Sequence, residues 1–232
     1  MKSYSIAGLT VNMEATGKTV TQAEKYLIDD TINADITLTY DPEACKKYIE
    51  AHPEVPEQSY VYMTLGKRFG EELLNYNGLV LHSSAVEYEN NAYLFSADSG
   101  TGKSTHTNLW KQCFKDAKII NDDKPALRLE DGKFYVYGTP WSGSTPMNIN
   151  VRVPLKAICF IERAEKNSIE RITNNSEIIQ LFLQQTLRRV GNERAEKLFI
   201  LLDALIRNVP FYKLHCLPDE DAAKLAYEVM SK

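Results

Sequence analysis

The chain has 232 residues, of which 44% are hydrophobic and 25% charged, with a net charge of −4 at pH 7. That length and balance suit a globular protein of one domain, or one domain with a small appendage, and exclude a disordered or fibrous chain. The charge gives no reason to expect nucleic acid or an anionic membrane as partner. No stretch approaches the ~20 apolar residues of a membrane span, and Met1 to Ala7 lacks a signal-peptide core, so the expected location is cytoplasmic.

Residues 1–76 read as a small N-terminal strand-and-helix portion, ahead of a larger domain over 77–232. Ile6 to Val11 is strand-like, and Ala34 to Tyr40 alternates at period two as a half-buried strand does. Pro42 to Glu50 reads as a short helix, and His52 to Glu57 as a loop set by its prolines. Tyr60 to Met63 reads as a further strand and Gly66 to Tyr76 as a helix with Phe69, Leu73 and Leu74 on one face. Nothing in this portion has catalytic spacing, which suits packing or partner docking.

The second part opens with a strand over Gly78 to Tyr88, a turn at Glu89-Asn90-Asn91, and a returning strand over Ala92 to Ser96. This hairpin leads into Ala97-Asp98-Ser99-Gly100-Thr101-Gly102-Lys103-Ser104-Thr105. Gly100 and Gly102 allow backbone angles that a Cβ forbids. Successive N–H groups can then face one concavity and hold a phosphate, helped by the positive end of the helix that follows. Lys103 supplies a mobile charge, and the Ser104 hydroxyl can ligate Mg²⁺. This is the ending of a Walker A phosphate loop (P-loop), except that Ala97 stands where its first glycine belongs. His82, one hairpin upstream, reads on spacing alone as a core histidine.

The next helix carries Leu109, Trp110, Cys113 and Phe114 on one face. A short apolar strand then ends in Asn121-Asp122-Asp123. Phosphoryl transfer needs a metal held against the nucleotide and a carboxylate near the accepting hydroxyl, and two acids at a strand's end supply both. A second hairpin turns at Asp131-Gly132. The segment from Gly138 to Pro146, with Trp141 expected at the surface, has neither helix nor strand period; it reads as a substrate loop, with a plain crossover as the alternative. Val153 to Glu162 is another strand. Asn174 caps a helix through Ile178, Phe182 and Leu187, and Asn192 caps another through Leu205. Phe211 to Leu214 is a short strand, and Pro218 opens a last helix. Cys45, Cys113, Cys159 and Cys216 form no CxxC pair and read as reduced packing residues.

Leu81-His82, Ser96 to Ser104 and Asn121-Asp122-Asp123 together resemble the catalytic domain of HPr kinase/phosphorylase, which shares its phosphate-loop fold with phosphoenolpyruvate carboxykinase. The match covers about residues 78–162. Asn-Asp-Asp-Lys-Pro-Ala and Gly-Thr-Pro-Trp-Ser-Gly place the chain nearest a short branch of that family. The resemblance implies an α/β fold with mixed sheets, and an ATP-binding, Mg²⁺-dependent kinase. It implies that Asp98, Ser99, Gly100, Thr101, Gly102, Lys103, Ser104 and Thr105 hold the nucleotide, with Lys103 on the β and γ phosphates. Ser104 and Asp123 would hold the metal, Asp122 would accept the hydroxyl proton, and His82 would sit by the transferred phosphate. The family's Glu-Val-Arg-Gly signature is absent, and Gly138 to Gly143 occupies its region. The expected acceptor is therefore a hydroxyl, such as a serine, of a peptide or protein other than HPr. A small-molecule acceptor and a nucleotide-binding regulatory protein without catalysis are the alternatives. Arg128, Arg152 and Arg163 are candidates for stabilising transferred charge, and Trp141, Ser142 and Gly143 for contacting substrate. A homo-oligomer is compatible with this family.

Overall fold

The computed structural model describes residues 1–31, 33–186 and 191–232, and is a mixed α/β structure. Within them, β1 (Lys2–Ile6) and β2 (Leu9–Met13) form a hairpin turning at Ala7-Gly8, both at positive φ, and β3 (Ile36–Leu38) lies parallel to β2. Three helices belong to the same part of the chain. They are α1 (Lys18–Ala23), α2 (Pro42–Ala51), whose Asp41 cap accepts from two amides, and α3 (Glu57–Leu73).

The strand expected at Tyr60 to Met63 is not one: it belongs to α3, which also absorbs most of the expected Gly66 to Tyr76 helix. Val61, Leu65, Phe69 and Leu73 are all fully buried, so a four-residue period runs unbroken through both stretches. Gly66 survives inside the helix because the Trp141 indole packs on it. A Cβ there would lie 2.7 Å from Trp141 Cδ1.

The expected long strand from Gly78 divides into β4 (Gly78–Val80) and β5 (Ser83–Tyr88). The break falls at Leu81-His82, whose amides leave the ladder to donate to Pro125 O and Gln185 O. β6 (Asn91–Ser96) returns antiparallel to β5. It is followed by α4 (Lys103–Cys113), β7 (Lys118–Asn121), the hairpin of β8 (Ala126–Glu130) and β9 (Lys133–Tyr137), and the long β10 (Arg152–Arg163). The chain ends with β11 (Ser168–Arg171), α5 (Asn175–Gln184), α6 (Asn192–Asn208), β12 (Phe211–Cys216) and α7 (Glu220–Met230). Asn174 caps α5 as expected, while Leu187 lies outside the described residues. Gly191, not Asn192, is the cap of α6, and Asp219, one residue after Pro218, caps α7.

Among the described residues the larger sheet has nine strands, ordered β4-β8-β9-β10-β6-β5-β7, with β12 on β10 and β11 on β12. β10 is its spine. Its first residues pair antiparallel with β9, and its later ones pair parallel with both β6 and β12. One apolar cluster packs α5 and α6 on one face of this sheet; another packs α4 and α7 on β6, β10 and β12. A third joins the small sheet and α3 to Val80, Ala126, Tyr137 and Trp141, so the first 76 residues share a core with the chain that follows. All four cysteines are free, and no helix among the described residues is long and apolar enough to cross a membrane.

Candidate active site

β6 is almost wholly buried and ends at Ser96, opposite Phe160 of β10. The chain then turns through 97–102 into α4. Gly100 and Gly102 have φ of +80° and +129°, and nothing lies within 4 Å of where a Cβ on either would sit. Glycine is required here by backbone conformation and leaves the space above the turn empty. Ala97 is not among the residues at positive φ, so it replaces the first glycine without left-handed strain.

Two cations hold the turn by its carbonyls, one from α4 and one from the end of β10. Lys103 Nζ donates to Ala97 O at 2.8 Å and Asp98 O at 3.3 Å, while Arg163 donates from Nε to Thr101 O at 2.9 Å and from Nη2 to Gly100 O. Four carbonyl oxygens that would oppose a bound anion are thus neutralised. Burial pulls the Lys103 pKa below its ordinary value, and Asp123 is the largest influence restoring it.

The acids are set by β7. Asn121 Oδ1 accepts from the amides of Asp123 and Lys124 at 2.9 and 2.7 Å, and its Nδ2 donates to Thr139 O. This side-chain turn ends the strand and fixes both aspartates. Asp122 is 9% exposed, and its Oδ1 accepts from Ser84 Oγ at 2.7 Å. Ser84 Oγ also meets Thr107 Oγ1 at 2.8 Å, so β5, β7 and α4 are joined under the site.

Asp123 Oδ1 lies 3.3 Å from His82 Nε2. His82 is brought there by the break between β4 and β5, not by a strand. Its Nδ1 lies 2.9 Å from Gln185 Oε1, and Gln185 Nε2 donates to Asp98 Oδ1 at 2.8 Å. An ionised Asp98 carboxylate only accepts, so the Gln185 amide must turn its NH₂ that way and its oxygen toward His82. His82 Nδ1 therefore carries a proton. Burial, then Lys124 and Lys103, hold the His82 pKa below its usual value. The ring's Nε2 is left facing Asp123.

The Gly138–Pro146 loop closes the far side. A Cβ on Gly143 would lie 3.2 Å from Asp123 Cβ. The loop is fastened from the N-terminal helices. Gln22 of α1 accepts from Ser142 N and Oγ and donates to Gly143 O, and Tyr62 OH of α3 accepts from Gly143 N at 3.1 Å. Trp141, expected at the surface, is buried. It stacks on Phe69 at 5.0 Å and donates from Nε1 to Tyr62 O, because the groove at Gly66 admits the indole.

These pieces enclose a cavity of about 350 Å³. His82, Ser99, Gly100, Gly102, Lys103, Ser104, Thr105, Asp122, Asp123, Ser142 and Gly143 all line it. Asp98 and Thr101 face a neighbouring groove against the end of β10. Arg128 and Arg152 stand elsewhere, converging on Glu130. Arg128 also donates to Ala7 O and Tyr76 O, and Arg152 covers the Tyr135 ring at 3.4 Å. Among the described residues no group of three or more His, Cys, Asp or Glu is arranged to hold a metal alone. The donors present, two carboxylates and the Ser104 hydroxyl, are hard oxygen ligands that suit Mg²⁺ once phosphate oxygens join them.

Ser84, Thr107, Gln185, Gln22 and Tyr62 were not legible as site residues. Thr107 had a signal, lying one helical turn after Lys103 on the same face. Gln185 and Gln22 had none, being 87 to 121 residues from the site partners they hold.

No family model matches the chain, and neither does any curated protein. Among solved structures it is similar to the HPr(Ser) kinase/phosphatase from Coxiella burnetii, with a TM-score of 0.39 and 9% identity over 66% of this chain and 88% of that one. At that TM-score the likeness carries neither fold nor activity across.

Proposed function

We propose that the chain is a Mg²⁺-dependent phosphotransferase that moves the γ-phosphoryl group of ATP to a hydroxyl. One observation carries this: a glycine turn with free space above it, its lysine and serine, two carboxylates and a histidine line a single cavity.

The turn amides and the N-terminus of α4 bind the phosphates, and Lys103 exchanges a carbonyl for the β and γ oxygens. Ser104 and Asp123 would hold Mg²⁺, which supplies neutralising charge to the phosphates. Asp122, whose Oδ1 is fixed by Ser84, takes the proton of the accepting hydroxyl. That oxygen bonds to the γ-phosphorus, the bond from phosphorus to the β–γ bridging oxygen breaks, and ADP leaves with the electron pair. His82, fixed by Gln185, sits beside the transferred group. A serine of a peptide or protein and a hydroxyl of a small molecule both satisfy this chemistry.

The test is nucleotide binding and label transfer from γ-labelled ATP with Lys103→Ala and Asp122→Asn. Lys103→Ala loses nucleotide affinity. Asp122→Asn keeps it, while transfer falls about 10³-fold, within the range for general-base loss. Transfer at the unaltered rate in both variants overturns the proposal.

A further inference from the structure

His82 and Asp123 line a second cavity as well, of about 280 Å³, on the side facing α3. The two cavities meet at this pair of side chains and differ in character. The phosphate side is polar and built from the glycine turn. The second is walled mainly by Tyr62, Val80 and Trp141, with Met63, Lys67 and Lys124 also lining it. Met63, at the mouth of this cavity, is 50% exposed.

Resting on the phosphotransferase proposed above, we infer that this second cavity is the acceptor site, and that the acceptor is a small hydroxy acid with an apolar body. Two bodies that exchange a phosphoryl group must reach it from opposite sides, because attack and departure are in line. The polar cavity takes the donor, which leaves the apolar one for the acceptor. Its hydroxyl enters past His82 and Asp123, the side chains common to both cavities, toward Asp122 on the phosphate side.

The charges select the rest of the molecule. Lys67 pairs with Glu71, one helical turn away and largely in solvent on the lysine side; such pairs contribute little. Lys124 is 3.9 Å from Asp123, the carboxylate assigned to the metal. With Asp123 committed to the phosphate side, the acceptor cavity is left with two ammonium groups and no carboxylate of its own. A carboxylate on the acceptor complements them, and the wall of Tyr62, Val80 and Trp141 takes its apolar body. A volume near 280 Å³ suits a molecule of this size better than a folded protein surface.

The probes are 3-phenyllactate, 2-phenylethanol, lactate and a blocked heptapeptide with one serine. Each is titrated calorimetrically with and without a non-hydrolysable ATP analogue and Mg²⁺, and each is offered with γ-labelled ATP. The expected result is that 3-phenyllactate binds and is phosphorylated, with 2-phenylethanol and lactate each at least tenfold weaker. Lys67→Ala and Met63→Glu each weaken 3-phenyllactate about tenfold, while the affinity for the ATP analogue stays unchanged. The inference is overturned if 3-phenyllactate fails to bind, if neither variant alters its binding, or if the serine peptide is phosphorylated in its place. Failure of the unaltered protein to bind the ATP analogue overturns the phosphotransferase reading instead. Acceptor binding without nucleotide then still decides the identity of the cavity.

Discussion

The two loops that wall the phosphate cavity use glycine differently. At Gly100 and Gly102 nothing lies within 4 Å of a would-be Cβ, whereas a Cβ on Gly138 would lie 1.9 Å from Ile149 O. The first loop keeps space empty and is held by cations on its own backbone. The second is filled to contact and is held by Gln22 and Tyr62 from helices far back in the chain. Glycine in one is there for a ligand, and in the other for packing. Substitutions should therefore separate binding from folding.

Gly138→Ala is the severest test. The backbone at Ile149 must move, and the cost is about 3 kcal/mol, the upper range for overpacking. The urea midpoint measures it. An unchanged midpoint would show that the second loop is not packed as described.

Acid comes next, through the helix that carries the glycine turn. His106 in the first turns of α4 is buried, accepts from Trp110 Nε1 at 3.1 Å, and has its pKa pushed down to about 4 by burial. A histidine with a lowered pKa binds more protons unfolded than folded between pH 6.5 and about 4. Its contribution is complete above pH 6.5 and falls by about 1.4 kcal/mol for each pH unit below it, until about pH 4. His106→Gln keeps an acceptor for Trp110 and removes that slope. Unfolding curves of both proteins across the window give the difference, which excludes the carboxylates common to the two.

Gly102→Ala should cost only about 1–2 kcal/mol of stability, from backbone strain alone. Its affinity for Mg²⁺-ATP should fall at least tenfold, because the methyl group enters the space above the turn. Equal losses in folding and binding would erase the contrast between the loops. Gln22→Ala is the mildest, at about 1 kcal/mol for lost hydrogen bonds. It loosens Ser142 and Gly143 on the wall of the polar cavity, so affinity for Mg²⁺-ATP falls a few-fold while the KM for acceptor holds.

The same contrast explains what the sequence disclosed. The glycine turn was legible because strand, glycines, lysine and helix are contiguous and each needs only its neighbours. Asp122 and Asp123 followed because a strand's end is also a local feature. α3 was misread because Tyr60 to Met63 favours strands locally and Gly66 disfavours helix, while the packing that overrides both comes from Trp141. Trp141 was placed at the surface for the reciprocal reason. The break that delivers His82 depends on Pro125 O and Gln185 O, and neither leaves a mark near residue 82. What holds a site across distant segments is written in ordinary glutamines, serines and tyrosines, whose partners only the fold selects.

β10 has a consequence in time. Ile158, Cys159 and Phe160 are paired on both edges, with Leu94, Phe95 and Ser96 of β6 and with Phe211, Tyr212 and Lys213 of β12. Amide hydrogens so enclosed exchange with solvent only when the whole domain opens, whereas helix ends and surface loops exchange in brief local excursions. The strand beneath the glycine turn is thus the slowest clock in the molecule. Its neighbours can open and close many times upon it, and each return finds the same floor.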